Sequence, residues 1–143
     1  MAKQFNFYLT LVLFGVLLAI SPSARADDKL DCRDTSNMNQ NQMNMCAAQD
    51  FDEADAALNK IWPKVKDYAK AGDDGLGEGE MTGAGMLLKA QKAWLVFRDS
   101  ECELEGFAAR GGSLQPMLVA GCKAALTNER VKALRALLSS EAQ

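Results

Sequence analysis

Gln91-Lys92-Ala93-Trp94-Leu95-Val96-Phe97-Arg98-Asp99-Ser100-Glu101-Cys102 is the segment from which the rest of this chain is most readily understood. Around it, Leu87, Ala90, Trp94, Phe97, Leu104 and Ala108 recur three or four residues apart, the spacing of an amphipathic helix. Gln91, Arg98 and Cys102 share a second face of the same helix. That second face is either a solvated flank or a polar seam between helices. With Trp94 and Phe97 placed in the core, it would also carry the contacts to neighbouring helices.

Two more helices flank this one. Asn39 followed by Gln42 is a capping-box pattern. It opens an apolar stripe through Met43, Cys46, Ala47, Phe51, Ala54, Leu58, Ile61 and Val65, reaching Ala69 or Lys70. Pro63 falls inside this run and should kink or restart the helix. Residues 71–85 contain six glycines among fifteen residues together with four acids, too few apolar groups to pack, so a mobile loop is expected. The central helix then runs from Met86 to Ala109 and stops at Gly111-Gly112. Ser113 caps a third helix with Pro116 in its first turn, carried by Leu114, Met117, Leu118, Cys122, Leu126, Val131, Leu134, Leu137 and Leu138. No strand pattern competes. The expected fold is all-α, a small antiparallel three-helix bundle.

Upstream, Lys3, the apolar run from Phe7 to Ile20, Pro22 and Ala24-Arg25-Ala26 read as a cleaved signal peptide over residues 1–26. The domain would then occupy 27–143, periplasmic or secreted. Cys32 follows Asp31 and is not placed for a lipid anchor, so no membrane anchor is expected after cleavage. Without Lys3 and Arg25, 14 basic side chains face 19 acidic ones, and the formal charge moves from -3 to -5. An acidic surface disfavours nucleic acid and anionic membranes and suits a basic partner.

Four cysteines in an exported chain read as two disulfides. In an antiparallel hairpin, level residues have numbers with a constant total, about 224 for a turn at Gly112. Cys102 and Cys122 meet that condition, which leaves Cys32 with Cys46. Cys46–Cys102 with Cys32–Cys122 is the alternative. The chain has no histidine and no close cysteine pair, so no metal and no cofactor are expected. The commonest general base is missing too. Asp99, Glu101, Glu103 and Glu105 alternate around the helix as a solvated face, not as paired catalytic carboxylates. Catalysis through Glu101 or Glu105 would need a dry pocket around one of them. The chain is not read as an enzyme.

The same level count brings polar residues together. If Asp55 faces Arg98, then Asn59 lies near Trp94 and within reach of Gln91, while Arg130 is level with Trp94. Asp55, Asn59, Gln91, Arg98, Asp99 and Arg130 are thus expected as a midlevel cluster. A buried guanidinium requires a carboxylate, and the cluster reads as a network that fixes helix register rather than as a ligand site.

These pieces resemble a known family, the exported domain named for the LprI-type lysozyme inhibitor. The resemblance rests on Gln42-Met43-Asn44-Met45-Cys46-Ala47, Ala54-Asp55-Ala56-Ala57-Leu58-Asn59, Gln91-Lys92-Ala93-Trp94 with Phe97-Arg98-Asp99-Ser100-Glu101-Cys102, Gly111-Gly112-Ser113, and Cys122 with Leu126-Thr127-Asn128-Glu129-Arg130 through Leu134. Trp62-Pro63 and the glycine-rich loop depart from the family pattern. The resemblance implies a helical, disulfide-bonded envelope protein with a protein partner, and, at its furthest, inhibition of a lysozyme. The segment best suited to enter a carboxylate-lined cleft is the turn Arg110-Gly111-Gly112-Ser113, because the 71–85 loop is acidic. The alternative function is a structural or stress-response interaction module with a non-lysozyme envelope partner.

Overall fold

The structure, a computed structural model, describes residues 30–139. The expected signal peptide lies outside them. Three helices follow one another: α1 (Gln40–Ala71), α2 (Gly83–Gly106) and α3 (Gln115–Ser139), with a 3₁₀ turn at Phe107–Ala109 between the last two. Among the described residues there is no strand.

α1 starts where its capping box puts it. The Asn39 side chain accepts from the Gln42 backbone N–H, and the Asn39 N–H donates to Gln42 Oε1, both at 3.0 Å. The helix then runs through Pro63 without restarting, as one element of 32 residues. A proline deletes one helical hydrogen bond. Here the packed residues Ile61 and Val65 bracket it, and burial of that face holds the turn in register.

α2 begins earlier than its apolar pattern does. Asp73, just past α1, accepts from the Gly83 backbone N–H and, at 3.4 Å, from that of Ala84. Thr82 Oγ1 accepts from Gly85 N–H at 3.0 Å. These caps bring two loop glycines into the first helical turn and shorten the loop to residues 72–82. At the far end Gly106 closes the helix against α3. A Cβ there would overlap the Val119 side chain, so only glycine permits this approach. α3 begins at Gln115, and Ser113 is not its cap. The Leu114 carbonyl takes the first helical bonds, while the Ser113 carbonyl accepts from Asn44 Nδ2 at 3.0 Å.

Consecutive helices are antiparallel, so α1 and α3 run in the same direction. The apolar core lies between those two: Leu58, Ile61 and Val65 against Val131 and Leu134. α2 adds only the half-buried Leu87 and Trp94 to its edge. The residues α2 does bury are Gln91, Arg98, Cys102 and Gly106. The polar face of the opening segment is therefore the inward one.

This corrects the expected orientation of α2. Phe97 is not a core residue; it is 53% exposed, and Val96 and Leu104 are 68% and 67% exposed. Ala90 and Ala108 are exposed as well. The cause is the pair Cys102–Cys122, with Cα atoms 5.4 Å apart. At about 100° per residue, a helix turned to point Cys102 at α3 carries Gln91, Leu95 and Arg98 inward with it. Phe97 is then turned to solvent, and Trp94 falls on the shoulder between the two faces. The second disulfide joins Cys32 to Cys46, with Cα atoms 5.5 Å apart, and folds the lead-in back over the start of α1.

Candidate functional site

Two arrangements of polar side chains stand out, one buried between the helices and one at the surface. The buried one is centred on Arg98, only 7% exposed. Its Nε donates to Asp99 Oδ1 at 3.0 Å and its Nη2 lies 2.9 Å from the same oxygen. Nη1 donates to Thr127 Oγ1 at 3.4 Å and sits 3.9 Å from Asp55 Oδ1. The guanidinium carbon is 5.1 Å from the Phe51 ring centroid and 5.3 Å from that of Trp94. α1, α2 and α3 thus each contribute to one cation. Lys123 adds a second positive charge 3.2 Å from Asp99. Partial burial pushes the Asp99 carboxyl up, but hydrogen bonds from Arg98 and Lys123 outweigh it and hold the group below its usual range.

The expected six-residue cluster is divided in two. Asp55, Arg98 and Asp99 meet as described, and Asn59 joins them only through Asp55, its Nδ2 donating to Oδ2 at 2.8 Å. Asn59 is exposed and does not reach Gln91. Gln91 instead accepts from Arg130 Nε at 3.0 Å, making a second seam between α2 and α3. Trp94 lies between the halves, with the Arg130 guanidinium 5.8 Å from its ring. Burial lowers the Arg130 pKa from its ordinary value. Among the described residues every buried side-chain nitrogen and oxygen has a hydrogen-bond partner. A network whose buried members are all partnered, with bonds running between all three helices, is suited to holding those helices in register. Phe51, Lys123 and Thr127 were not foreseen in it. Thr127 is level with Arg98 by the numbering rule, and Lys123 precedes it by one helical turn, so the same rule could have found both.

Arg130 also borders a cleft of about 550 Å³ formed with Val65, Tyr68, Met86 and Leu87. Its walls are mainly apolar. Glu101, Glu103 and Glu105 are exposed on α2.

The surface arrangement is the turn between α2 and α3. Gly111 has φ +77°, a conformation that strongly favours glycine. Its N–H donates to Gln115 Oε1 at 3.0 Å, the Gly112 N–H donates to the Ala109 carbonyl at 2.9 Å, and Asn44 of α1 holds Ser113. Arg110 is exposed, with its guanidinium 5.3 Å from the Phe107 ring. The turn is thus fixed from both ends while its side chain reaches into solvent.

The chain is 43% identical over 128 residues to the uncharacterized protein R02472 of Rhizobium meliloti (strain 1021), covering 87% of this chain and 91% of that one. It is 35% identical over 65 residues to the uncharacterized protein YecT of Escherichia coli (strain K12), covering 45% of this chain and 40% of that one. No solved structure gives a significant match. The family described as lysozyme inhibitor LprI matches residues 32–134, from the first cysteine to the last buried leucine of α3, and the chain belongs to that family.

Proposed function

We propose that this chain is a soluble periplasmic or secreted binding protein that inhibits a lysozyme, with the turn Arg110-Gly111-Gly112-Ser113 as the segment that enters the enzyme's cleft. The family is one of inhibitors, not of enzymes, and supports a protein partner of this kind. The observation that carries the reading to particular residues is the braced, exposed turn with Arg110 at its tip. Among the described residues Arg110 forms no ion pair, so its charge is available to a partner.

Glycoside-cleaving sites use two carboxylates, about 5–10 Å apart, across the scissile bond. A guanidinium on a rigid turn is matched to such a pair in charge and in fork geometry. Because the turn is already ordered, little conformational entropy is lost on docking. The acidic surface of the rest of the chain would steer a basic lysozyme toward it.

The test is clearance of bacterial cell walls by several lysozyme types in the presence of the mature, oxidised protein. Inhibition at micromolar concentration is expected for at least one type. Arg110→Glu should abolish it while leaving the helical circular dichroism unchanged. Full lysozyme activity with every type overturns the function. Undiminished inhibition by Arg110→Glu overturns the assignment to the turn.

A further inference from the structure

Toward the 72–82 loop the three helices leave between them the cleft of about 550 Å³ that Arg130 borders. The sequence explains why it is open. Ala69, Gly72, Gly83 and Ala90 line it, and none has a side chain long enough to fill it. Its loop end is held by a cap, the Gly83 backbone N–H donating to Asp73. Val65, Met86, Leu87 and Leu137 supply apolar walls. The wall formed by α3 runs from Arg130 to Leu137, about 10 Å of helix.

Arg130 is the only charged side chain among the described residues that line this cleft. Its Nε is committed to Gln91 Oε1, 3.0 Å away, and its guanidinium carbon lies 5.8 Å from the Trp94 ring. Gln91 is neutral and leaves the charge unbalanced. Arg98, the other guanidinium of the same seam, has two carboxylates beside it; Arg130 has none among the described residues. Burial lowers the Arg130 pKa with no carboxylate to oppose the effect. Its two terminal nitrogens make no hydrogen bond to a described residue. A half-buried cation at one end of an apolar cleft matches a ligand that is apolar along its length and negative at one end.

We propose that the cleft binds a chain-like carboxylate of the fatty-acid class, its carboxylate on the terminal nitrogens of Arg130 and its hydrocarbon chain laid between the helices toward Gly72 and Gly83. The terminal N–H groups of a guanidinium form a fork that takes both oxygens of one carboxylate. A single arginine balances a single charge, which favours a monoanion over a phosphate dianion. Each methylene laid against the walls leaves water. The inference is independent of the lysozyme reading, since it uses no residue of the 110–113 turn, which lies at the other end of α2.

Octanoate is the probe, titrated to a few millimolar into the mature, oxidised protein and followed by calorimetry. One molecule per chain is expected to bind. Octanol, which has the chain without the charge, should bind about tenfold more weakly, the effect of losing a charge-assisted pair. Acetate, which has the charge without the chain, should not bind. Arg130→Gln removes the charge and should bind octanoate no better than octanol. Ala90→Phe, at an exposed position of α2, fills the cleft and leaves Arg130 in place. It should abolish binding of both ligands with helical circular dichroism unchanged. No octanoate binding overturns the proposal. So does equal affinity of the native protein for octanoate and octanol, or an Arg130→Gln protein that keeps the preference. Octanoate binding that survives Ala90→Phe overturns it too, and places the ligand elsewhere on the surface. Should Arg130→Gln fail to fold, the native comparison and Ala90→Phe decide the matter.

Discussion

α3 makes two seams, and they are built of different material. Against α1 it presents Val131 and Leu134 to Leu58, Ile61 and Val65, an aliphatic core. Against α2 it presents Cys122, Thr127 and Arg130 to Cys102, Arg98 and Gln91, a disulfide and a ladder of hydrogen bonds. The first seam draws its stability from area removed from water and tolerates small rotations of either helix. The second has little apolar area, but each of its bonds has a direction. The contrast shows that helix orientation need not follow the larger apolar stripe. A covalent link and one guanidinium with two carboxylates set the rotation of α2, and its hydrophobic face is left outside.

The comparison can be broken at either seam. The largest effect is expected from Leu134→Ala, which leaves a void at a fully buried position of the apolar seam. It should cost about 2–5 kcal/mol in urea unfolding, depending on how far the site collapses. Replacing Cys102 and Cys122 together with serine should cost about 2–4 kcal/mol. The same double change should raise hydrogen exchange in α2 more than in α1 or α3, because α2 has little apolar contact to hold it. Uniform exchange in all three helices would show that the polar bonds hold α2 without the staple.

Arg98→Met tests those bonds directly. The carboxylates it abandons are partly exposed, with Asp99 at 46%, and can be rehydrated. The expected cost is therefore about 1–2 kcal/mol, below the 3–5 that follows when a charge is stranded in the interior. A loss as large as that of Leu134→Ala would make the polar seam the stronger of the two. The smallest effect is that of pH. Asp99 has its carboxyl pKa lowered by folding, so its contribution is complete above the unfolded value of about 3.9 and disappears as pH falls through the lower, folded value. Its exposure limits the contribution to less than about 1 kcal/mol. Asp99→Asn should be slightly less stable than the parent at pH 6, and the difference should vanish near pH 2.

Much of the fold is legible in the residues alone. The α1 start was written in Asn39 and Gln42, and the level of Cys102 with Cys122 in the position of Gly112. The facing of Asp55 and Arg98 was the premise of the α1–α2 count, not its result. The orientation of α2 was legible in part. Cys102 cannot reach Cys122 while Phe97 points at the core, since the two lie about 140° apart on the helix. The apolar period concealed that conflict. The early start of α2 was hidden because glycine in a helix is unfavourable by propensity, and here Asp73 and Thr82 supply the compensating bonds. Of the candidate site, the glycines of the turn and Arg110 were visible. The bracing by Gln115 and by Asn44 was not, because one crosses a turn of unknown shape and the other joins residues 69 apart.

By itself the sequence determined three helices, their order, their antiparallel succession and which residues stand level with one another. These follow from local periodicity, caps and chain length, all of which act along one dimension. Only the tertiary structure decided which face of α2 is the inner one. Rotation about a helix axis is set by neighbours on other helices. Here Cys122, Thr127 and Asp55 outweighed the apolar stripe and left it on the outside.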